Sequence, residues 1–415
     1  MIQSRTAVVA ILTALNLVNY LDRFLVMAVS PRIQESLALD DAQIGWVTTA
    51  FMLGYFVTSP IFGWLGDRYP RKGLIAAGVA VWSIATVLSG LAPTYATMIA
   101  ARVLVGVGEA SYATLSPTII DDLSSKSAKN RMLAIFYVAI PVGSALGFIV
   151  GGLLEHRFGW RAAFFIAGGP GVLLALVMLL IREPARSTAE RSEAARGRGA
   201  YAELARSPAY VSTVLGYVAQ TFALGGFTAW AAPFLYRRLC LELHLADSYF
   251  GTITVLTGLV GTAIGGVLAD RIPGEDRVRV YLRLCGWTSL VAAPLALAAL
   301  LMPSAPLFLV ALAACELFVF ASVSPVNAAI LQTVRPELRA TAMAVSIFMI
   351  HLLGDLVSPP LIGRISDAHL DPRSFCSGAP GLSVGMYLLP AALALSAIFW
   401  LRGARATRAT RPGTA

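Results

Sequence analysis

The sequence predicts an all-α integral membrane protein of twelve spanning helices, arranged as two pseudo-symmetric six-helix bundles. Three observations predict it. Hydrophobic residues make up 57% of the 415 positions and charged residues 13%, with a mean hydropathy of +0.73, a balance far from that of a soluble domain. Apolar runs of about twenty residues, the length that spans roughly 30 Å of hydrocarbon, recur along nearly the whole chain. Finally, short motifs in the first half return in the second half in the same order, the trace of an internal repeat.

The spans are placed near residues 6–29, 43–65, 73–91, 95–120, 132–154 and 162–181 in the first half, and near 210–236, 249–268, 280–302, 307–334, 340–365 and 384–401 in the second. Helices are the natural element, because backbone groups in lipid must be satisfied within the segment. The first span carries Asp22 and Arg23 and lacks a small-residue cleavage site, so it reads as a membrane helix and not as a signal peptide. One long polar interruption, rich in Arg, Glu, Ala and Ser, lies between the sixth and seventh spans, where a linker between halves belongs. The expected organisation is therefore a bundle over residues 1–181, a cytoplasmic linker at 182–208, a second bundle over 209–402 and a cytoplasmic tail at 403–415.

Orientation follows from lysine and arginine. With both termini in the cytoplasm, about 23 basic residues fall on cytoplasmic segments and about 8 on the other face, as the positive-inside rule asks. The net charge of +9 is then explained by topology and anionic headgroups, not by nucleic acid, since the basic residues are dispersed over short loops. The short termini and lean loops suggest the inner membrane of a bacterium, and a monomer. The cysteines Cys240, Cys285, Cys315 and Cys376 have no metal or redox spacing; Cys240 and Cys376 both fall near the external face, yet free thiols are the expectation. The four histidines are scattered, so an enzyme, which would need convergent catalytic groups, is not expected, nor is a metal or organic cofactor.

The repeat is read from three pairs. Gly63-Trp-Leu-Gly-Asp67-Arg68 after span two matches Gly266-Val-Leu-Ala-Asp270-Arg271 after span eight; Ala113-Thr-Leu-Ser-Pro117 matches Ala321-Ser-Val-Ser-Pro325; and Arg131 and Arg339 open spans five and eleven. At the stretch GWLGDRYPRK, residues 63–72, the chain resembles the signature loop of the major facilitator superfamily, with Pro70 where glycine is usual. That resemblance covers essentially the whole length. It implies two bundles around a central cavity, lined mainly by helices one, four, seven and ten, that opens alternately to each side. It also implies gating roles for Gly63, Asp67, Arg68, Arg71, Asp270 and Arg271, whose charges can meet helix ends in one state only; the plainer alternative is a charged loop obeying the positive-inside rule.

Charges within the spans carry the chemistry, because lipid tolerates them only where a cavity, a partner or a function holds them. Asn19-Tyr20-Leu21-Asp22-Arg23 lies in the outer half of span one. Arg102 lies roughly 10 Å below the external boundary at 1.5 Å per residue, and Asp22 reaches a similar depth. Arg102 and Glu109 are seven residues apart in span four and share a helix face. The expectation is one aqueous pocket in which Asp22 and Glu109 exchange protons while Arg23 and Arg102 compete for them with an anionic substrate; the alternative is a fixed ion pair of Asp22 with Arg102. In the second half, Glu316 stands roughly where Glu109 does, Tyr217 and Gln220 are polar on span seven, and His351 and Asp355 lie four apart on span eleven. Gly143, Gly147 and Gly151 line one face of span five, a pattern that permits close approach, here expected across the moving interface of the halves. It partly resembles the superfamily's antiporter motif, with Phe148 in place of the characteristic proline, which leaves antiport without support.

Within the superfamily, Asn19–Arg23 together with Arg102-Val-Leu-Val-Gly106-Val-Gly108-Glu109-Ala-Ser111-Tyr112 and Ser116-Pro117-Thr118-Ile119-Ile120 resembles the Spinster transporters. Organic anion symporters share the first motif but lead from helix four into an aromatic-proline sequence, where Asp121-Asp122-Leu123 stands here. The resemblance implies translocation of amphipathic lipids with a charged head, such as lysophospholipids or sphingosine phosphate, with arginines on the phosphate and Tyr20, Phe24 and Tyr112 among the walls. A proton-coupled symporter of small organic anions is the second reading.

Overall fold

The computed structural model describes residues 4–123, 129–183, 198–369 and 373–409. Among them every regular element is helical. In the first half α1 (Arg5–Ala28) is followed by α2 (Ser30–Leu37), α3 (Asp41–Thr49), α4 (Phe51–Arg68), α5 (Arg71–Leu91), α6 (Tyr95–Leu123), α7 (Lys129–Phe158) and α8 (Trp160–Leu179). A short α9 (Arg198–Arg206) precedes α10 (Pro208–Arg238), α11 (Leu243–Arg271), α12 (Arg277–Leu301), α13 (Ala305–Ala321), α14 (Val323–Thr333), α15 (Arg339–Ile350), α16 (Ser358–Asp367), α17 (Pro380–Met386) and α18 (Leu388–Ala409). Most of the expected linker, and the end of the expected tail, lie outside the described residues.

Eleven helical stretches among the described residues are long and apolar enough to cross a membrane. The expected seventh span is α10, 31 residues long, or about 46 Å at 1.5 Å per residue. Much of it is buried, Gln220, Thr213 and Thr221 included: a helix enclosed by protein need not be greasy on every side.

Four expected spans run as single helical stretches with a local change of hydrogen bonding inside them. In span two the change falls at Ala50 between α3 and α4, in span ten at Ser322 between α13 and α14, and in span twelve at Tyr387 between α17 and α18, each residue keeping right-handed helical backbone. Span eleven holds a π-helical turn, His351–Asp355, in which the Leu356 amide donates to the His351 carbonyl five residues back. Such interruptions survive in a membrane only where neighbouring protein satisfies the freed backbone groups.

The chain forms two compact units, Met1–Ala189 with Leu241–Val255, and Glu190–Cys240 with Leu256–Ala415. The first thus includes the opening turns of α11. Within it α1 packs on α7, α4 on α6, and α5 between α6 and α8, around a core that includes Leu12, Ile75, Trp82, Val105, Tyr112 and Phe136. In the second unit α12 packs against α13 and α18, and α10 against α18 and the π-helical turn, with Leu282, Cys285, Val326 and Trp400 at the centre.

Close approach holds these bundles, since lipid offers no hydrophobic gain for bringing helices together. Gly54 and Gly106 form a reciprocal contact: a Cβ on Gly106 would overlap the Phe51 carbonyl oxygen, and one on Gly54 would overlap that of Val103. Gly143 and Gly147 bring α7 onto the Leu17 and Leu21 carbonyls of α1, and Gly151 faces Ala28. The glycine face of span five therefore packs inside the first unit, which corrects the expectation that it lies at an interface between halves. A second correction concerns the thiols. Cys240 and Cys376 form a disulfide, with Cα atoms 4.4 Å apart, joining the end of α10 to the loop before α17. Cys285 and Cys315 are free and buried.

Candidate functional site

Consecutive residues on a helix point about 100° apart, so Asp22 and Arg23 leave α1 in different directions. Asp22 is buried and its Oδ2 accepts from the Thr86 hydroxyl of α5. Arg23 reaches α6, where its Nη2 donates to Glu109 Oε2 at 2.6 Å. Its guanidinium carbon lies 4.9 Å from the Tyr20 ring centroid, 4.6 Å from Phe51 and 5.9 Å from Tyr55. The cation thus sits in a box of three aromatic rings, each attracting it through its negative face. Phe51, at the start of α4, supplies one wall.

Arg102 lies one face of α6 along from Glu109, fully buried, with its guanidinium carbon 5.8 Å from Phe51. None of its three side-chain nitrogens has a hydrogen-bond partner. It acts electrostatically on both Asp22 and Glu109. Glu109 Oε1, Asp22 Oδ1 and Asn19 Nδ2 are likewise buried and unpartnered. Two acids and two guanidiniums therefore converge with a formal sum of zero, the condition under which charges can be retained away from water. The ion pair is Arg23 with Glu109, one of the contacts the pocket reading allows, whereas Asp22 turns to Thr86, so the alternative of a fixed Asp22–Arg102 ion pair is not the one formed. Within this unit the acids and Arg102 are enclosed, and Arg23 keeps 17% of its side chain exposed.

The remaining expected contacts lie in distinct surroundings. Tyr20 stacks on Phe24 at 6.4 Å, and Phe24 is half-buried against Phe148 at 5.6 Å. Tyr112 belongs to the bundle core; its hydroxyl donates to the Leu12 carbonyl at 2.5 Å and its ring meets Trp82 edge-on. In the second unit Gln220 is buried, its Nε2 donating to the Val319 carbonyl at 2.7 Å and its Oε1 accepting from Ser322 at 2.8 Å. It thereby ties α10 to the turn where α13 passes into α14. Glu316 accepts from Thr257 at 2.8 Å, Tyr217 packs among the core residues next to α14, and His351 Nδ1 lies 2.9 Å from Asp355.

At the other end of the bundle Asp67 and Arg68 are exposed, and Arg68 stacks on Trp64 at 4.1 Å. Gly63 has only Thr114 near an added Cβ. Arg71 is the buried member of that motif. It pairs with Asp122 of α6 at 2.7 Å, its backbone amide donates to Glu183 at 2.8 Å, and its Nη1 donates to Thr118 at 3.1 Å. In the second unit Asp270 and Arg271 are exposed. The comparable tie comes from Arg277, which donates to the Ala269 and Ile272 carbonyls and lies 5.1 Å over Tyr281.

Phe51, Tyr55 and Thr86 were not singled out from the sequence. They are an uncharged wall whose role exists only once α1, α4 and α5 are packed, and no spacing pattern announces it. Arg277 had a faint signal, its place six residues after Arg271 at the start of a span.

Residues 12–354 match the family model of the Major Facilitator Superfamily. The chain is 38% identical over 396 residues to the bovine "Protein spinster homolog 1", covering 87% of this chain and 72% of that protein. It is 33% identical over 445 residues to the zebrafish "Sphingosine-1-phosphate transporter SPNS2", covering 97% of this chain and 84% of that one. Among solved structures, a bacterial homologue of the human lysosomal transporter Spinster, in an inward-facing and unoccupied conformation, superposes with a TM-score of 0.87 at 25% identity over 99% of both chains. A D-xylose–proton symporter superposes at 0.76 with 14% identity, a likeness of fold alone. Together these make the chain a multi-pass membrane transporter, not an enzyme, and a member of the Spinster branch of the major facilitator superfamily.

Proposed function

We propose that this transporter carries an amphipathic lipid with an anionic or zwitterionic head, of the lysophospholipid or sphingosine-phosphate kind, by alternating access coupled to protons. The observation that carries the reading is Arg102: a buried guanidinium with no hydrogen-bond partner, beside a second arginine held in an aromatic box. A phosphate or carboxylate head satisfies such donors in bidentate fashion, and the aromatic and aliphatic neighbours suit a chain.

Coupling follows from competition. Glu109 holds Arg23 only while it is ionised. A proton on Glu109 releases Arg23 to an anionic head, and an anion on Arg23 in turn favours the protonated acid. Proton and anion therefore bind with positive linkage, and Asp22, which acts on Arg102 through space without a bond to it, adds to the same competition. Tyr20, Phe24 and Tyr217 are assigned to the substrate path, Glu316 to its second-unit side, and Asp67, Arg68, Arg71, Asp270 and Arg271 to the gate. The chain works as a monomer in the inner membrane with both termini cytoplasmic. The similarity to a zebrafish sphingosine-1-phosphate transporter supports the lipid class.

The test is reconstitution in liposomes with labelled lysophospholipid, sphingosine phosphate and a sugar acid, each with and without a pH gradient. Lipid movement driven by the gradient, and lost as coupling in Glu109→Gln, is the expected result. Movement of the sugar acid alone would favour the organic anion symporter, and unchanged coupling in Glu109→Gln would remove that residue as the proton site.

A further inference from the structure

A second carboxylic acid site lies away from the charged cluster, at the end of the first unit where α7 finishes and α11 begins. Asp247, in the second turn of α11, is fully buried, and both its carboxylate oxygens lack a hydrogen-bond partner. It is pressed against α7: a Cβ on Gly152 would stand 2.8 Å from Asp247 Oδ2 and 3.0 Å from its Cβ. One turn further along, Gly251 lets α11 meet the Ala145 carbonyl, and Phe250 meets Phe148 edge-on at 4.9 Å.

The charged groups around Asp247 do not compensate it. Glu155 of α7 acts on it with like charge. Arg32 of α2 is spent on Glu155 at 3.0 Å and on Glu35 at 2.9 Å. His156 of α7 and His244 of α11 stack at 4.2 Å, and His244 lies 3.5 Å from Glu242. An ionised carboxylate with neither donor nor cation is among the least tolerable buried groups, whereas a neutral carboxyl can stay. The two imidazoles have the opposite tendency: both protonated at that spacing, they repel.

We infer that Asp247 is a proton-binding latch: neutral, it lets the first turns of α11 seat on α7 at Gly152; ionised, it drives that seat apart toward water. The ligand is the proton itself, and the site is separate from Asp22 and Glu109.

Spin labels at Leu153→Cys and Tyr249→Cys, both exposed positions on α7 and α11, read the distance, because the native cysteines are buried or disulfide-bonded. In the otherwise wild-type protein the ratio of seated to parted molecules is expected to fall as pH rises, by up to about tenfold per pH unit, the slope of one proton. Asp247→Asn should remain seated throughout the titration. Gly152→Ala should part the helices at every pH. A wild-type pH response in Asp247→Asn would overturn the assignment. So would a response that vanishes in His156→Gln or His244→Gln but survives in Asp247→Asn, or an unchanged seated distance in Gly152→Ala.

Discussion

The two units share a packing plan and differ in where they put charge. α5 lies against α8 and α6 as α12 lies against α18 and α13, and glycines let α4 approach α6 just as Gly261 and Gly265 let α11 approach the Leu317 and Ala321 carbonyls of α13. Yet the first unit gathers Asp22, Arg23, Arg102 and Glu109 with polar atoms left over. At the corresponding height the second has Glu316 on Thr257, Gln220 on backbone, and His351 with Asp355. Helix contacts made by small residues tolerate duplication; charge stays only where it performs work. The departures from symmetry are therefore the better guide to mechanism.

The largest expected effect sharpens that contrast. Arg102→Ala should lower lipid transport in liposomes by about 100-fold, or about 2.7 kcal/mol of lost stabilisation, while Glu316→Gln should cost only about threefold. Equal losses would break the asymmetry. Next come the two arginine ties. Arg71→Ala removes the shared partner of Asp122, Glu183 and Thr118 and should lower stability by about 3 kcal/mol; Arg277→Ala, which gives up bonds to carbonyls, should lower it by about 1 kcal/mol. Thermal unfolding in detergent ranks them. Cys240→Ser, opening a cross-link over 136 residues, should cost about 2–4 kcal/mol in the second unit, seen as loss of the reductant-sensitive shift in melting temperature. Smallest is Tyr112→Phe: about 1 kcal/mol of stability for the lost bond to Leu12, with transport unchanged. Lost transport at intact stability would return Tyr112 to the substrate path.

Much of the fold was legible because a bilayer imposes a length and a hydropathy that residues must obey. Span positions and the repeated motifs come straight from that constraint. The local changes at Ala50, Ser322 and Tyr387 were not, since a continuous apolar run hides a change of hydrogen bonding within it. In the site, the seven-residue spacing places Arg102 and Glu109 on one face, but the choice of Glu109 by Arg23 depends on how α1 is rotated. That rotation is fixed by Gly143 and Gly147 on α7, whose partner the spacing leaves open. The glycines could be read as a contact surface; the helix they contact could not. Asp247 reads as an ordinary acid near a loop until Gly152 is packed against it.

The bond between Cys240 and Cys376 has a bearing beyond stability. Glutathione keeps cytosolic thiols reduced, so such a cross-link endures only in an oxidising compartment. The end of α10 is therefore a compass for the whole chain: a thiol probe that labels Cys240 in intact cells only after an impermeant reductant is added identifies the leaflet there. Every other loop then takes its side by alternation.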